Sequence, residues 1–122
     1  MKNKTNYEKV REFHEAFGQD IDVDIYKSDI NLIALRIALI DEEYDELKRA
    51  VGTENYLKEL VDLLYVIYGF AATFGWDIDT AFNLVHVSNM SKLGADGKPI
   101  FREDGKVLKS ENYVPPNLSD LV

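Results

Sequence analysis

Two long helical segments joined by a very short turn constrain the fold of this chain more than any other feature. The first, residues 28–52, runs from a possible cap at Ser28 to a glycine stop, with leucines at helical spacing at positions 32, 35, 39 and 47. The second, residues 53–74, starts at Thr53, which can cap it, and ends before Gly75. Because only a Gly-Thr turn separates them, the two helices are expected to pack antiparallel.

Two further helices are predicted on either side of this pair. Thr5 opens the first with a capping-box spacing, and Gly18 ends it. The last begins at a cap on Asp77 or Asp79 and ends near Leu93. Residues 94–122 carry two Asp-Gly-Lys turns and a Pro-Pro pair, which predict a short hairpin or an extended arm. The expectation is a single all-α domain over residues 1–122, a four-helix bundle-type fold over about 4–93 with a turn-rich C-terminal arm.

Composition excludes several classes of protein. The 122 residues contain no cysteine, so disulfides and thiolate metal sites are excluded. A net charge of −8 disfavours nucleic acid as a partner. The N-terminal residues show no basic stretch followed by an apolar one, and the longest uncharged run, residues 63–76, is short for a membrane span. We therefore expect a cytoplasmic protein with no membrane partner.

Acidic residues recur on one face of each of the two long helices. The stretch DEEYDEL places Glu43 and Glu46 three residues apart, and ELVD does the same for Glu59 and Asp62. Antiparallel packing is expected to bring both pairs to similar height. Asp62 is the only charged residue from Leu60 to Trp76, and a buried carboxylate requires a partner or a shifted pKa.

Converging carboxylates repel each other unless they are protonated or bridged by cations. Oxygen ligands without cysteine or histidine select Mg²⁺, Mn²⁺ or Ca²⁺, and Mg²⁺ commonly takes substrate phosphates as further ligands. The alternative for DEEYDEL alone is a solvated helix face, in which Asp45 pairs with Lys48 or Arg49.

The combination of EEYDE at residues 42–46 and ELVD at 59–62 resembles the EExxE and ExxD signature of the all-α NTP pyrophosphohydrolases. This MazG-like superfamily also includes dimeric dUTPases and phosphoribosyl-ATP pyrophosphohydrolase. The opening VREFHEAFG and the C-terminal stretch from HVSNMSK to YVPP are similar to its phage and bacterial MazG-like branch.

The resemblance implies a Mg²⁺-dependent enzyme, with Mn²⁺ as the alternative ion, that cleaves a nucleoside triphosphate between its α and β phosphates. It implies that Glu43, Glu46, Glu59 and Asp62 ligate the metal and that Glu42 orients or deprotonates the attacking water. It also implies a homodimer or larger homo-oligomer.

Three other residues are predicted to bind substrate. Asn89 and Lys92 share a helix face, where the lysine can meet a phosphate and the asparagine a sugar or phosphate oxygen. Arg36 lies on the same stripe as Glu43, so it is expected to pair with a site carboxylate, with a phosphate contact as the alternative.

Two other functions fit the same acidic pattern. One is a non-catalytic helical protein that binds nucleotides or a partner and retains the acidic site. The other is a bundle stabilised structurally by Ca²⁺ or Mn²⁺. The preferred base or sugar is not indicated by periodicity or spacing.

Overall fold

The computed structural model describes residues 3–122, whose contacts group into two units, one ending at Trp76 and the other Asp77–Val122. The N-terminal unit contains α1 (Asn6–Phe17), a 3₁₀ turn (Ile25–Lys27), α2 (Ile30–Arg49) and α3 (Tyr56–Thr73). The C-terminal unit contains α4 (Ile78–Met90), β1 (Ile100–Phe101), β2 (Val107–Leu108) and a 3₁₀ turn (Ser119–Leu121). The all-α prediction is confirmed, and the single domain stays a prediction.

The predicted ends of α1 are confirmed. The Glu8 amide donates to Thr5 Oγ1 at 3.1 Å, and the Thr5 amide donates to Glu8 Oε1 at 2.9 Å, which completes the capping box. Gly18 ends the helix with φ of 69°, a left-handed conformation that costs glycine little.

The starts of α2 and α3 lie later than predicted. Asp29 caps α2 by accepting from the Asn31 amide at 2.9 Å, because the Ser28 hydroxyl donates instead to Ile25 in the preceding 3₁₀ turn. The Thr53 hydroxyl likewise donates to the Ala50 carbonyl at 2.7 Å. It therefore closes the connecting turn, and α3 begins three residues further on.

In the C-terminal unit, Asp77 caps α4 by accepting from the amide and hydroxyl of Thr80 at 3.0 and 2.7 Å. The helix ends at Met90, earlier than predicted, where Ser91 turns back to donate to the Ser88 carbonyl. The predicted hairpin is present as an antiparallel pair in which Ile100 faces Leu108.

Helix α3 lies at the centre of the N-terminal unit and packs against both α1 and α2. On the α1 side, Phe13 meets Tyr65 edge to face at 5.6 Å between ring centroids, and Val10 is almost fully buried. No helix within residues 3–122 has both the length and the apolar character needed to cross a bilayer.

The connection after α1 is fixed to the end of α3. The amides of Asp22 and Val23 donate to the carbonyls of Ala72 and Thr73 at 3.1 and 2.8 Å. The Arg11 guanidinium binds both carboxylate oxygens of Asp22 at 2.8 Å, which lowers the pKa of that carboxyl.

Gly75 stands against this connection, and Gly75→Ala is expected to destabilise the fold by about 2 kcal/mol or more. Gly75 has φ of 67°, and an added Cβ would lie 2.8 Å from Asp22 Oδ1. Gly18→Ala is the matched control, because Gly18 has φ of 69° with no atom within 4 Å of the added Cβ. Urea unfolding should show the larger loss for Gly75→Ala, and equal losses would contradict the proposed close contact.

Candidate active site

Four carboxylates from α2 and α3 converge in the N-terminal unit. Glu43 and Glu46 come from α2, and Glu59 and Asp62 come from α3, with one oxygen of each lying within 4.8 Å of the others. The three-residue spacing aligns each pair on its helix, and the packing of α2 on α3 brings the pairs together. This carboxylate quartet is the constellation that the two motifs predict, and its function as a ligand set stays a prediction.

Two buried oxygens of the quartet have no hydrogen-bond partner among residues 3–122. They are Glu43 Oε2 and Glu59 Oε2. Burial raises the pKa of the Glu43 carboxyl, and the neighbouring charges of Glu46, Asp62 and Glu59 raise it further. An uncompensated carboxylate oxygen in such a place is costly, so a bound cation or a proton would stabilise the quartet.

The donor set fits a hard divalent cation. All four side chains offer carboxylate oxygens, which Mg²⁺, Mn²⁺ and Ca²⁺ prefer, and the unpartnered oxygens of Glu43 and Glu59 provide free ligand atoms. Asp62 retains 34% side-chain exposure, so the site is open to water and to a substrate.

Lys58 is a site residue that the sequence reasoning did not identify. Its ammonium lies 2.7 Å from Asp62 Oδ2 and 3.3 Å from Glu59 Oε1. These contacts, the hydrogen bond to Asp62 first, raise the pKa of Lys58 above its ordinary value. The i,i+4 spacing of Lys58 and Asp62 was the available signal. Asp62 therefore has an ionic partner on its own helix.

Lys58→Gln is expected to strengthen Mn²⁺ or Mg²⁺ binding about two- to fivefold, since the ammonium competes with the ion for carboxylate oxygens. Lys48→Gln is the matched control, because Lys48 pairs with Asp45 at 3.1 Å, outside the quartet. Calorimetric titration with each ion measures the effect. Unchanged or weaker binding by Lys58→Gln would show that the lysine does not oppose the metal.

An open cavity of about 330 Å³ adjoins the quartet at the α2–α3 connection. Its lining consists of Glu46, Arg49, Ala50, Thr53, Asn55 and Glu59. The Arg49 side chain reaches the Asp45 backbone carbonyl at 3.3 Å rather than its carboxylate, which pairs with Lys48. The sequence pattern suggests Arg49 as a partner for Asp45, but its position three residues after Glu46 also places it on the helix face of the quartet.

Glu42 is exposed on α2 beside Glu43 and is not one of the four clustered carboxylates. Its exposure leaves it accessible to water. Its role as the base stays a prediction.

The expected ion pair between Arg36 and a site carboxylate is absent from residues 3–122. Arg36 is instead buried, with 5% exposure, and donates to Gln19 Oε1 at 3.2 Å, while its Nε has no partner. Gly69 on α3 lies beside it, where an added Cβ would make an ordinary contact of 3.8 Å with Arg36 Nη1 and a tight one of 3.1 Å with His14 Nε2. Helical spacing places Arg36 on the same face of α2 as Glu43, but it does not predict that the long arginine side chain turns toward the residues after α1. Substrate binding by Arg36 stays a prediction.

Asn89 and Lys92 belong to the C-terminal unit. Asn89 is exposed in the last turn of α4, and Lys92 is half-buried just beyond the helix, where its amide donates to the Asn89 carbonyl at 3.1 Å. Their substrate contacts stay predictions.

Comparisons with known proteins agree with the resemblance noted in the sequence. The family model of phosphoribosyl-ATP pyrophosphohydrolase matches residues 10–89. The uncharacterized protein L479 of Acanthamoeba polyphaga mimivirus is 35% identical over 114 residues, a match that spans 87% of this chain and 43% of that protein. The chain thus spans less than half the length of this curated relative.

A solved structure from Exiguobacterium sp. 255-15, named provisionally as an NTP pyrophosphohydrolase, gives a TM-score of 0.47 at 24% identity, over 94% of this chain and 90% of that one. The family match carries the assignment, because it includes more than half of this chain and both acidic motifs. The chain belongs to the phosphoribosyl-ATP pyrophosphohydrolase family.

Proposed function

We propose that this chain is a Mg²⁺-dependent pyrophosphohydrolase that converts a ribo- or deoxyribonucleoside triphosphate and water into the monophosphate and pyrophosphate. Family membership supports the reaction class. The observation that carries the proposal is the quartet, whose four carboxylates reach within 4.8 Å of one another and include two buried oxygens without partners. A site of this kind suits a cation that also binds phosphate.

Glu43, Glu46, Glu59 and Asp62 would hold the ion between α2 and α3. When bound, Mg²⁺ supplies neutralisation of the phosphate charge and polarisation of the phosphoryl oxygens. The chain's contribution is a fixed set of carboxylate oxygens from two packed helices, which would hold the ion in one position.

Glu42 is the proposed general base. It takes a proton from water as the water oxygen bonds to the α-phosphorus. The bond from that phosphorus to the α–β bridging oxygen breaks, and its electron pair leaves with pyrophosphate. The proton count is balanced, because the carboxyl later returns its proton to solvent.

The proposed assembly is a homodimer or larger homo-oligomer. Helix α3 exposes large apolar side chains, among them Leu57, Leu60, Val61 and Leu64, each at least 44% exposed. An exposed apolar face of this kind is typical of a protein interface. Sedimentation at micromolar concentration should give a multiple of the chain mass, and a monomer would contradict this part of the proposal.

A product panel tests the proposed reaction. The full chain is incubated with Mg²⁺ and each of the common ribo- and deoxyribonucleoside triphosphates, with phosphoribosyl-ATP as a further arm, and products are resolved by ion-exchange chromatography. Monophosphate with pyrophosphate is expected for at least one nucleoside triphosphate. Diphosphate with orthophosphate would overturn α–β cleavage, and turnover of phosphoribosyl-ATP alone would overturn the substrate class. If the chain binds nucleotides but hydrolyses none of those tested, the non-catalytic alternative would be favoured.

A further inference from the structure

The cavity at the α2–α3 connection has the lining of a phosphate site rather than a base site. Besides Glu46 and Glu59, which it shares with the quartet, its lining within residues 3–122 consists of the polar residues Arg49, Thr53 and Asn55 and one apolar residue, Ala50. It contains no aromatic ring on which a base could stack. Guanidinium and amide groups are suited to phosphate oxygens.

Arg49 is available to a ligand in this cavity. The side chain is exposed, and its one hydrogen bond runs from Nε to the Asp45 carbonyl of its own helix. Within residues 3–122 it forms no ion pair, although Glu46 and Glu59 line the same cavity. The planar fork of its terminal nitrogens can therefore bind two phosphate oxygens together.

The side chain of Asn55 is also available to a ligand. Asn55 occupies the N-cap position of α3, yet its side chain makes no capping hydrogen bond. The Thr53 hydroxyl is oriented by two contacts, donating to the Ala50 carbonyl and accepting from the backbone N–H of Asn55 at 3.2 Å. The turn thus holds its polar groups in place beside the carboxylates.

The order of residues along the two helices gives the cavity a direction. Arg49 and Asn55 lie at the connection, followed along the helices by Glu46 and Glu59, and one turn further by Glu43 and Asp62. On α3, Tyr56 lies near the connection but lines another, apolar cavity with Leu47, Leu57 and Leu60. The next aromatic residue of this helix is Tyr65, which lies beyond Asp62 and contacts Phe13. A nucleotide laid along this line has its terminal phosphates at the connection and its nucleoside away from it.

We propose that the cavity between the quartet and the α2–α3 connection is the pyrophosphate subsite and that Arg49 binds the leaving β and γ phosphates. The inference rests on the proposed function. Arg49 there stabilises the charge that develops on the departing pyrophosphate and holds the product until it is released. Asn55 supplies a further hydrogen bond to the same group.

Product binding tests the subsite directly, with magnesium pyrophosphate as the probe. In Arg49→Gln, calorimetric titration should show pyrophosphate binding weakened at least about tenfold, the loss typical of a bidentate charged contact. Arg49→Lys keeps the charge without the fork and should recover only part of it. Lys48→Gln removes the same charge one residue away, outside the cavity, and should bind as the unmodified chain does.

Inhibition kinetics give the position of Arg49 along the substrate. Arg49→Gln should raise the inhibition constant of pyrophosphate about tenfold and that of the nucleoside monophosphate less than about threefold. Unchanged pyrophosphate binding, equal losses in Lys48→Gln, or a larger effect on the monophosphate would each overturn the subsite. Absence of turnover in the unmodified chain would instead overturn the proposed function. The two failures are distinguishable, because calorimetry measures pyrophosphate binding even when the chain turns over no nucleotide.

Discussion

Asp62→Asn is expected to lower nucleoside triphosphate turnover by about two to four orders of magnitude. Asparagine keeps the shape of the side chain but removes one of the four negative charges of the quartet, in which an Asp62 oxygen lies within 4.8 Å of the other three carboxylates. The remaining oxygens would hold a divalent ion weakly and out of position. Steady-state kinetics over a range of Mg²⁺ concentrations measure both effects.

Measuring both the stability and the turnover of Asp62→Asn tests whether Asp62 acts in catalysis or only in the structure. Loss of the repulsion between Asp62 and its neighbours offsets loss of the exposed pair with Lys58, so the thermal midpoint should change little. Asp45→Asn is the matched control, since Asp45 lies in the same acidic motif but outside the quartet. Turnover of Asp62→Asn within tenfold of the unmodified chain, or equal losses in both variants, would contradict the assignment.

Glu42→Gln is expected to lower kcat by about 10²- to 10⁴-fold while leaving divalent-ion binding intact. Glutamine cannot accept the proton of the attacking water, yet Glu42 lies outside the four carboxylates that converge. Turnover and Mn²⁺ binding are measured on the same preparation.

Asp41→Asn is the control for Glu42→Gln, because Asp41 is the adjacent exposed carboxylate on α2 and has no predicted role. Loss of Mn²⁺ binding in Glu42→Gln would make Glu42 a ligand rather than the base. An unchanged kcat would place the base elsewhere.

The convergence of the two acidic pairs could be predicted from the sequence, because it depends on helical periodicity and on the length of one connection. Helical periodicity places Glu43 with Glu46 and Glu59 with Asp62, and the short connection forces α2 and α3 to be antiparallel. These constraints leave little freedom in the height at which the two pairs face each other. The capping box at Thr5 is equally local and was also predictable.

The sequence did not predict which of several possible hydrogen-bond partners a polar side chain selects. Ser28 and Thr53 are both good caps, but each bonds a nearby carbonyl instead, because a tight turn precedes its helix. Arg36 has a long side chain, which donates to Gln19 after α1 rather than to a carboxylate of the quartet. Side-chain direction of this kind follows from tertiary packing, which spacing along one helix does not encode.

Mn²⁺ binding without nucleotide tests most directly whether the quartet is a metal centre. The full chain is titrated with Mn²⁺, and free ion is followed by electron paramagnetic resonance in the unmodified chain, Asp62→Asn and Asp45→Asn. We predict saturable binding that weakens at least about tenfold in Asp62→Asn and stays unchanged in Asp45→Asn. Equal binding by all three proteins would contradict this prediction.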